Sequence, residues 1–309
     1  MNQRFRSAVA LCVACVMGGL LCGRADAQHF SAWSTPANMG ASINTAYNEW
    51  HAAISADGLT IFFSTDRPGG FGAFDLWVAE RPRPNASWAP ARNLGPNINT
   101  FAGEFTPALS PDGHWLFFAS SGFANGDKFN VYAAFRSDLS DHLGWGAPVN
   151  LGKGVNSNHP NGDPSLFIDP QTGAVTLYFA RLDRAGQDDW NIYQSVQGAD
   201  GAFGDAVLVP GLNTPYRETR PAVRRDGLEV LFTSDRPGSL GGLDVWASTR
   251  ATTSAKWSTP VNLGPTVNTE FYDRAPYLSD DGLSLILISD RPGGFGGNDL
   301  YVSTRKRLP

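Results

Sequence analysis

The residues that could do chemistry are found by counting back from five D-G turns or their equivalents, at Asp57, Asp112, Asp169, Asp226 and Asp281. Eight residues before each Asp stand Glu49, Glu104, Asn161, Glu218 and Asp273; six before it stand His51, Thr106, Asp163, Arg220 and Ala275. The first set is acidic in four positions out of five. That is what a structural role predicts, since a carboxylate at the start of a strand can accept backbone N–H bonds or pair with an arginine. The second set differs at every position, and a ligand site on a repeated scaffold requires such broken symmetry. His51, Asp163 and Arg220 would supply a base, an acid and an anion clamp. The stretch "NSNHPNGDPS" (156–165) adds Asn156, Asn158, His159, Asn161 and Asp163, an oxygen-rich cluster compatible with a hard cation such as calcium or with sugar hydroxyls. Its spacing fits no EF-hand loop, and Asn-rich turns commonly form without ligands, so no metal site or cofactor is predicted from it.

These residues recur because the chain repeats. The phrases "WSTPANMGASINT" (33–45), "WAPARNLGPNINT" (88–100), "WGAPVNLGKGVNS" (145–157), "FGDAVLVPGLNT" (203–214) and "WSTPVNLGPTVNT" (257–269) begin at aromatics spaced 54 to 58 residues apart. Each copy contains short alternating or fully apolar runs bounded by Gly, Pro, Asn and Asp, which predict four antiparallel strands and no sustained helix. Five such units, about 33–81, 88–136, 145–195, 203–250 and 257–305, predict an all-β, five-bladed β-propeller over residues 28–309. The first copy opens on the outermost-strand phrase and the last ends after its third strand. Residues from about 31 to 41 are therefore expected to complete the last blade and close the ring.

Three copies also carry the loop "DRPGG" or a near variant, at Asp66, Asp235 and Asp290, each followed nine residues later by Asp75, Asp244 or Asp299. Repetition with intact spacing marks a blade turn: the first Asp caps backbone N–H groups, Pro fixes φ and Gly permits a positive one. The Arg is expected to reach the second Asp. The second and third copies lack this loop, which makes them a better place to look for function.

Arg4 and Arg6 precede the apolar run Ala8–Leu21, with a small-x-small site after Ala27, so residues 1–27 read as a secretory signal peptide. Its removal takes away three arginines and one aspartate and moves the net charge from −5 to −7. Cys12, Cys15 and Cys22 all lie inside it, leaving no disulfide, thiol nucleophile or Cys-ligated zinc in the expected mature chain. A mildly acidic, exported propeller is a poor match for nucleic acid or an anionic membrane surface. The expected location is the periplasm or the exterior, as a monomer.

"AISADGLTIFFSTDRPGGFGAFDLWV" (53–78), "LSPDGHWLFFAS" (109–120) and "LSDDGLSLILISDRPGGFGGNDLYV" (278–302) resemble the WD40-like PD40 repeats of TolB-type propellers. That resemblance implies a propeller that serves as an interaction platform, as a sensor domain or as an enzyme scaffold; TolB itself differs in having six blades and an extra N-terminal domain. Two functions follow as expectations. One is a non-catalytic platform holding a glycan, peptide or envelope protein on the loop-rich face, with Trp50, Phe105, Phe123, Arg220 and Tyr272 as contacts and His51, Thr106, Asp163 and Asp273 nearby. The other is a carbohydrate-active hydrolase or lyase using His51, Glu49, Glu104, Asp163 and Glu218 at the channel mouth, as five-bladed glycosidases place carboxylates on their inner strands. No G-x-S-x-G, H-E-x-x-H or Walker A motif is present.

Overall fold

A computed structural model describes residues 30–124, 128–184 and 188–309. The expected signal peptide and its three cysteines lie outside these residues. Twenty strands form five four-stranded antiparallel sheets. The first blade is β2 (Glu49–Ile54), β3 (Thr60–Thr65), β4 (Asp75–Glu80) and β5 (Arg92–Asn93). The second is β6 (Glu104–Leu109), β7 (Trp115–Ser120), β8 (Asn130–Phe135) and β9 (Val149–Asn150). The third is β10 (Asn161–Ile168), β11 (Val175–Leu182), β12 (Trp190–Val196) and β13 (Val207–Leu208). The fourth is β14 (Glu218–Val223), β15 (Glu229–Ser234), β16 (Asp244–Thr249) and β17 (Val261–Asn262). The last, β18 (Asp273–Leu278), β19 (Ser284–Ser289) and β20 (Asp299–Thr304), takes its outermost strand from β1 (Ala37–Asn38), in register Ala37↔Val302 and Asn38↔Tyr301. The ring closes as the sequence predicts, and joining first strand to last leaves no blade with a missing edge.

The core lies between blades. Phe62, Leu76 and Val78 of the first blade pack with Leu116, Phe118, Tyr132 and Trp145 of the second, and four equivalent clusters continue round the ring. A latch recurs at the lower edge: Arg81, Arg136, Arg250 and Arg305 each donate Nε–H to the glycine carbonyl of a D-G turn, at 2.6 to 3.0 Å, while lying 4.2 to 4.5 Å over Trp88, Trp145, Trp257 and Trp33. In four of the five blades the arginine after the third strand and the aromatic opening the next outer-strand phrase therefore form one contact, and Gln197 takes the arginine's place in the third.

The "N-x-N-T" phrase is a second latch. The side-chain amides of Asn44, Asn99, Asn156, Asn213 and Asn268 bond both backbone N–H and C=O of Leu300, Leu76, Val131, Ile192 and Val245 in the third strand of the same blade. A single amide thus continues the ladder where the two-residue outer strand has stopped. The next residue holds the inner strand: the N–H groups of Thr45, Thr100, Thr214 and Thr269 donate to Glu49, Glu104, Glu218 and Asp273 at 2.6 to 2.8 Å.

Candidate functional site

The five innermost strands β2, β6, β10, β14 and β18 surround the axis, and each carries a bulge at the same place. The bulged residues are His51, Thr106, Asp163, Arg220 and Ala275, the set that differs in every copy. They are the only non-glycine residues with positive φ among the described residues, at 45°, 56°, 58°, 60° and 55°. An L-residue in this region is disfavoured by about 1–2 kcal/mol, so the fold carries a ring of strained backbone around its axis. In four blades the next residue is Pro107, Pro164, Pro221 or Pro276, whose missing N–H leaves no donor orphaned by the interrupted ladder. A proline inside an otherwise good strand was the sequence signal for this bulge.

His51, Thr106, Asp163 and Arg220 partition the channel. Above them, toward the strand starts, is a cavity of about 260 Å³. Below them is a narrower one of about 110 Å³, walled by Ile54, Leu109, Leu278 and the bulge prolines. The upper chamber has two unlike walls. Trp50, Phe105, Phe129 and Trp190 make an aromatic side, with Trp50 and Phe105 ring centres 5.9 Å apart and Phe105 and Phe129 5.4 Å apart. Arg217, Arg220 and Arg274 make a cationic side.

Asp163 and Arg220 face one another across neighbouring blades, with Oδ1 and Nη1 2.9 Å apart and the Arg220 N–H reaching Oδ2 at 3.3 Å. Burial raises the proton affinity of Asp163, and Arg220 only partly opposes it. Burial also brings the Arg220 pKa down to about 10, with Asp163 resisting and Arg274 adding to the fall. His51 is 5% exposed, contacts Trp50 and Phe105 edge-on, and lies 3.4 Å from Ser64 Oγ through Nδ1. Burial foremost, then Arg220 and Arg274, hold its pKa well below the ordinary value, so the imidazole is neutral.

The repeated carboxylates stand elsewhere. Glu49, Glu104, Glu218 and Asp273 are fully buried between strand and loop, and none lines either channel cavity. Glu49 Oε1 accepts from Thr45 Oγ1 at 2.6 Å, Thr65 Oγ1 at 3.1 Å and Arg67 Nη2 at 3.0 Å. Glu218 repeats this with Thr214, Ser234 and Arg236, and Asp273 pairs with Arg291. Burial raises the pKa of Glu49, Glu104 and Glu218 while these donors pull it down. The DRPGG arginine therefore reaches the inner-strand carboxylate 18 residues upstream rather than the second Asp. Asp75, Asp244 and Asp299 instead accept the loop N–H groups of Phe71, Leu240 and Phe295, at 2.5 to 2.7 Å. Asp66, Asp235 and Asp290 cap the N–H groups of Asn48, Arg217 and Tyr272, as expected of blade turns.

Of the 156–165 stretch, Asn156 is the ladder-continuing amide of the second blade, and Asn161, which opens the third, bonds Ser157, Arg181 and the His159 carbonyl. Those two side chains are committed to the frame. Asn158 and His159 are partly exposed on the connection before β10, and of the proposed cluster only Asp163 reaches the chamber. Among the described residues no group of three His, Cys, Asp or Glu side chains converges as a metal site. Phe123 packs on Phe118 and Tyr132 in the second blade, and Tyr272 stands at the rim under Arg274. Sequence counting missed Phe129, Trp190, Arg217 and Arg274. They come from three further registers, just before the inner-strand anchor (Arg217), just before the bulge (Arg274) and at the entry to the third strand (Phe129, Trp190), where symmetry is broken in the same way.

Neither a family model nor a curated protein matches the sequence. Solved structures do resemble the fold. A thermostable family-43 glycoside hydrolase is similar at 14% identity, over 85% of this chain and 90% of that one, with a TM-score of 0.56. The catalytic domain of the Coprinopsis cinerea GH62 α-L-arabinofuranosidase is similar at 14% identity, over 90% and 96% of the two chains, with a TM-score of 0.57. TolB from Acinetobacter baumannii is 17% identical over 80% of this chain and 53% of that one, with a TM-score of 0.47, too distant for inference. At these identities the likeness is one of fold alone. The PD40 resemblance accordingly stands for the propeller architecture, not for a family assignment.

Proposed function

We propose that this propeller is a carbohydrate-active protein that takes a sugar into the upper axial chamber and cleaves a glycosidic bond there. The observation that carries this reading is the meeting, in one chamber with an aromatic floor, of the two groups whose proton affinities are displaced toward each other. Burial makes Asp163 a better proton holder than a free carboxyl, and the same burial keeps His51 unprotonated. In hydrolysis Asp163 first takes up a proton, giving up its ion pair with Arg220, and passes that proton to the departing glycosidic oxygen. His51 takes a proton from water as the water oxygen bonds to the anomeric carbon, and later returns it to Asp163. Most glycosidases use two carboxylates for these roles; here the imidazole stands in for the second. The fold shared with glycoside hydrolases supports the reading, as does the aromatic face of Trp50 and Phe105 as a platform for a sugar ring.

Release of reducing sugar from a panel of oligosaccharides, including α-L-arabinofuranosyl substrates, tests it. Asp163→Asn and His51→Gln are each expected to lower turnover at least a hundredfold, with Glu104→Gln acting on stability instead. Turnover that survives both substitutions overturns the assignment. The ion pair between Asp163 and Arg220 favours a second reading, a non-catalytic glycan-binding platform, and binding without turnover would establish it. We also infer that the protein works outside the cytoplasm; a mature chain that starts at Gln28 is the expected result of N-terminal sequencing.

A further inference from the structure

Three arginines face the upper chamber, and two of them are in ion-pair contact with a carboxylate. Arg220 has Asp163, and Arg217 is paired with Asp188, itself largely exposed at the rim. Arg274 has a neutral partner: its Nη2 donates to Asn298 Oδ1 at 2.9 Å, and its guanidinium lies 5.0 Å over Trp50 and 5.3 Å over Tyr272. No carboxylate of the described residues forms an ion pair with it. His51 is neutral and adds no counter-charge. Arg274 is thus held by no carboxylate contact, and the attraction of Asp290 reaches it only at longer range.

Hydrogen-bonding capacity is left over at the same place. Trp50 Nε1, Thr106 Oγ1, Arg217 Nε and Arg220 Nη1 are buried with no hydrogen-bond partner, and all four residues line this chamber. Arg220 Nη1 lies near Asp163 Oδ1 without the alignment to donate to it. Buried donors are normally satisfied. Unpaired donors on residues that line the chamber, beside an arginine with no ion-pair contact, suit a ligand that brings acceptors and negative charge.

On the proposed carbohydrate reading, on which this inference rests, we propose that the chamber selects an acidic saccharide, a uronate whose carboxylate lies against Arg274 and Arg217 while its ring stacks on Trp50 and Phe105. At about 260 Å³ the space falls just short of the ~300 Å³ where drug-sized pockets begin, and it takes one sugar ring rather than several. A guanidinium matches a carboxylate with two parallel bonds, which an ammonium does not. A neutral sugar would satisfy the unpaired Trp50 and Thr106 atoms and leave Arg274 without a carboxylate in contact.

Isothermal titration calorimetry on the full chain tests this with galacturonate and glucuronate disaccharides, their methyl esters and the corresponding neutral disaccharides. The expected result is an acid form bound at least tenfold more tightly than its ester, with the difference shrinking as salt rises. Arg274→Gln and Arg217→Gln should each erase the difference, and Arg274→Lys should recover part of it; Arg217, being partly exposed, serves where the Arg274 variant does not fold. Equal affinity for acid and ester overturns the uronate inference and leaves the carbohydrate reading intact. If no saccharide binds but a short peptide with a free C-terminal carboxylate does, with the same arginine dependence, the carbohydrate reading and this inference both fall.

Discussion

Replacing Arg236 by alanine tests whether the DRPGG loop belongs to the frame or to the site. The side chain is 7% exposed; Nη2 donates to the Leu212 carbonyl at 2.6 Å and to Glu218 at 3.0 Å, and Nε donates to Ser234 at 3.0 Å. The guanidinium also lies within 5.3 Å of the Phe232 and Trp246 ring centres. Removing one partner of a buried pair costs about 3–5 kcal/mol. The second blade indicates which end of that range applies. There Glu104 is equally buried with no arginine at all, held by Thr100 and by Ser120 Oγ at 2.7 Å. Glu218 keeps the corresponding Thr214 and Ser234 donors in the variant, so the loss should sit near the lower end, about 3 kcal/mol. With roughly 2.1 cal/mol/K of unfolding entropy per residue and roughly 280 ordered residues, that is a fall in Tm of about 5 °C. Calorimetry on Arg236→Ala, Glu218→Gln and the double variant would give it directly, with a coupling energy of at least about 1 kcal/mol between the two sites. A Tm within about 1 °C of the parent, or additive losses, would refute the ion pair as a frame element; lost sugar affinity in a variant of unchanged stability would move the loop into the site.

His51 should make the fold sensitive to acid. Its folded pKa lies below the unfolded one, so below about pH 6.5 the unfolded chain takes up a proton that the folded chain refuses, and stability falls by up to ~1.4 kcal/mol per pH unit. His51→Gln should flatten the curve of stability between pH 6.5 and 5; an unchanged slope would mean the imidazole is not kept neutral. Gly296→Ala would set its Cβ 1.8 Å from the Tyr47 carbonyl oxygen, and should cost at least about 2 kcal/mol in urea denaturation. Gly152→Ala, where a Cβ meets nothing but φ is 79°, should cost only about 1 kcal/mol, and equal losses would contradict the close approach between blades. Asn44→Ala removes both bonds to Leu300 at the ring closure and should lower stability by about 2 kcal/mol, more than the exposed Asn97→Ala; no difference between them would argue against the latch.

The blades were readable from the sequence because the strand ends recur at fixed intervals, marked by Asp-Gly turns in four copies, Pro-Gly loops in three and the N-x-N-T phrase or a relative in all five. The bulge ring was readable for a different reason: counting from a shared turn isolates the register where repetition fails, and that register is His51, Thr106, Asp163, Arg220 and Ala275. What counting along one register does not show is which other registers converge in space. Arg217 precedes an anchor, Arg274 precedes a bulge, and Trp190 and Phe129 stand at the entry to third strands; only the closed ring brings all of them to one chamber. The partner of the DRPGG arginine was misjudged for a similar reason, because the sequence-near Asp75 is turned into its own loop while Glu49 lies across the β2–β3 pair.

The uniform backbone of that ring separates shape from chemistry. Histidine, threonine, aspartate, arginine and alanine all occupy the same left-handed region within 15° of φ, so the backbone conformation is set by the position and not by the side chain it carries. The strain differs among them, least for aspartate and histidine and greatest for β-branched threonine, but the bulge keeps its shape. The axis thus behaves as five sockets of one gauge, each open to a different plug, and a propeller of this kind can acquire a new ligand by changing five letters without renegotiating its fold.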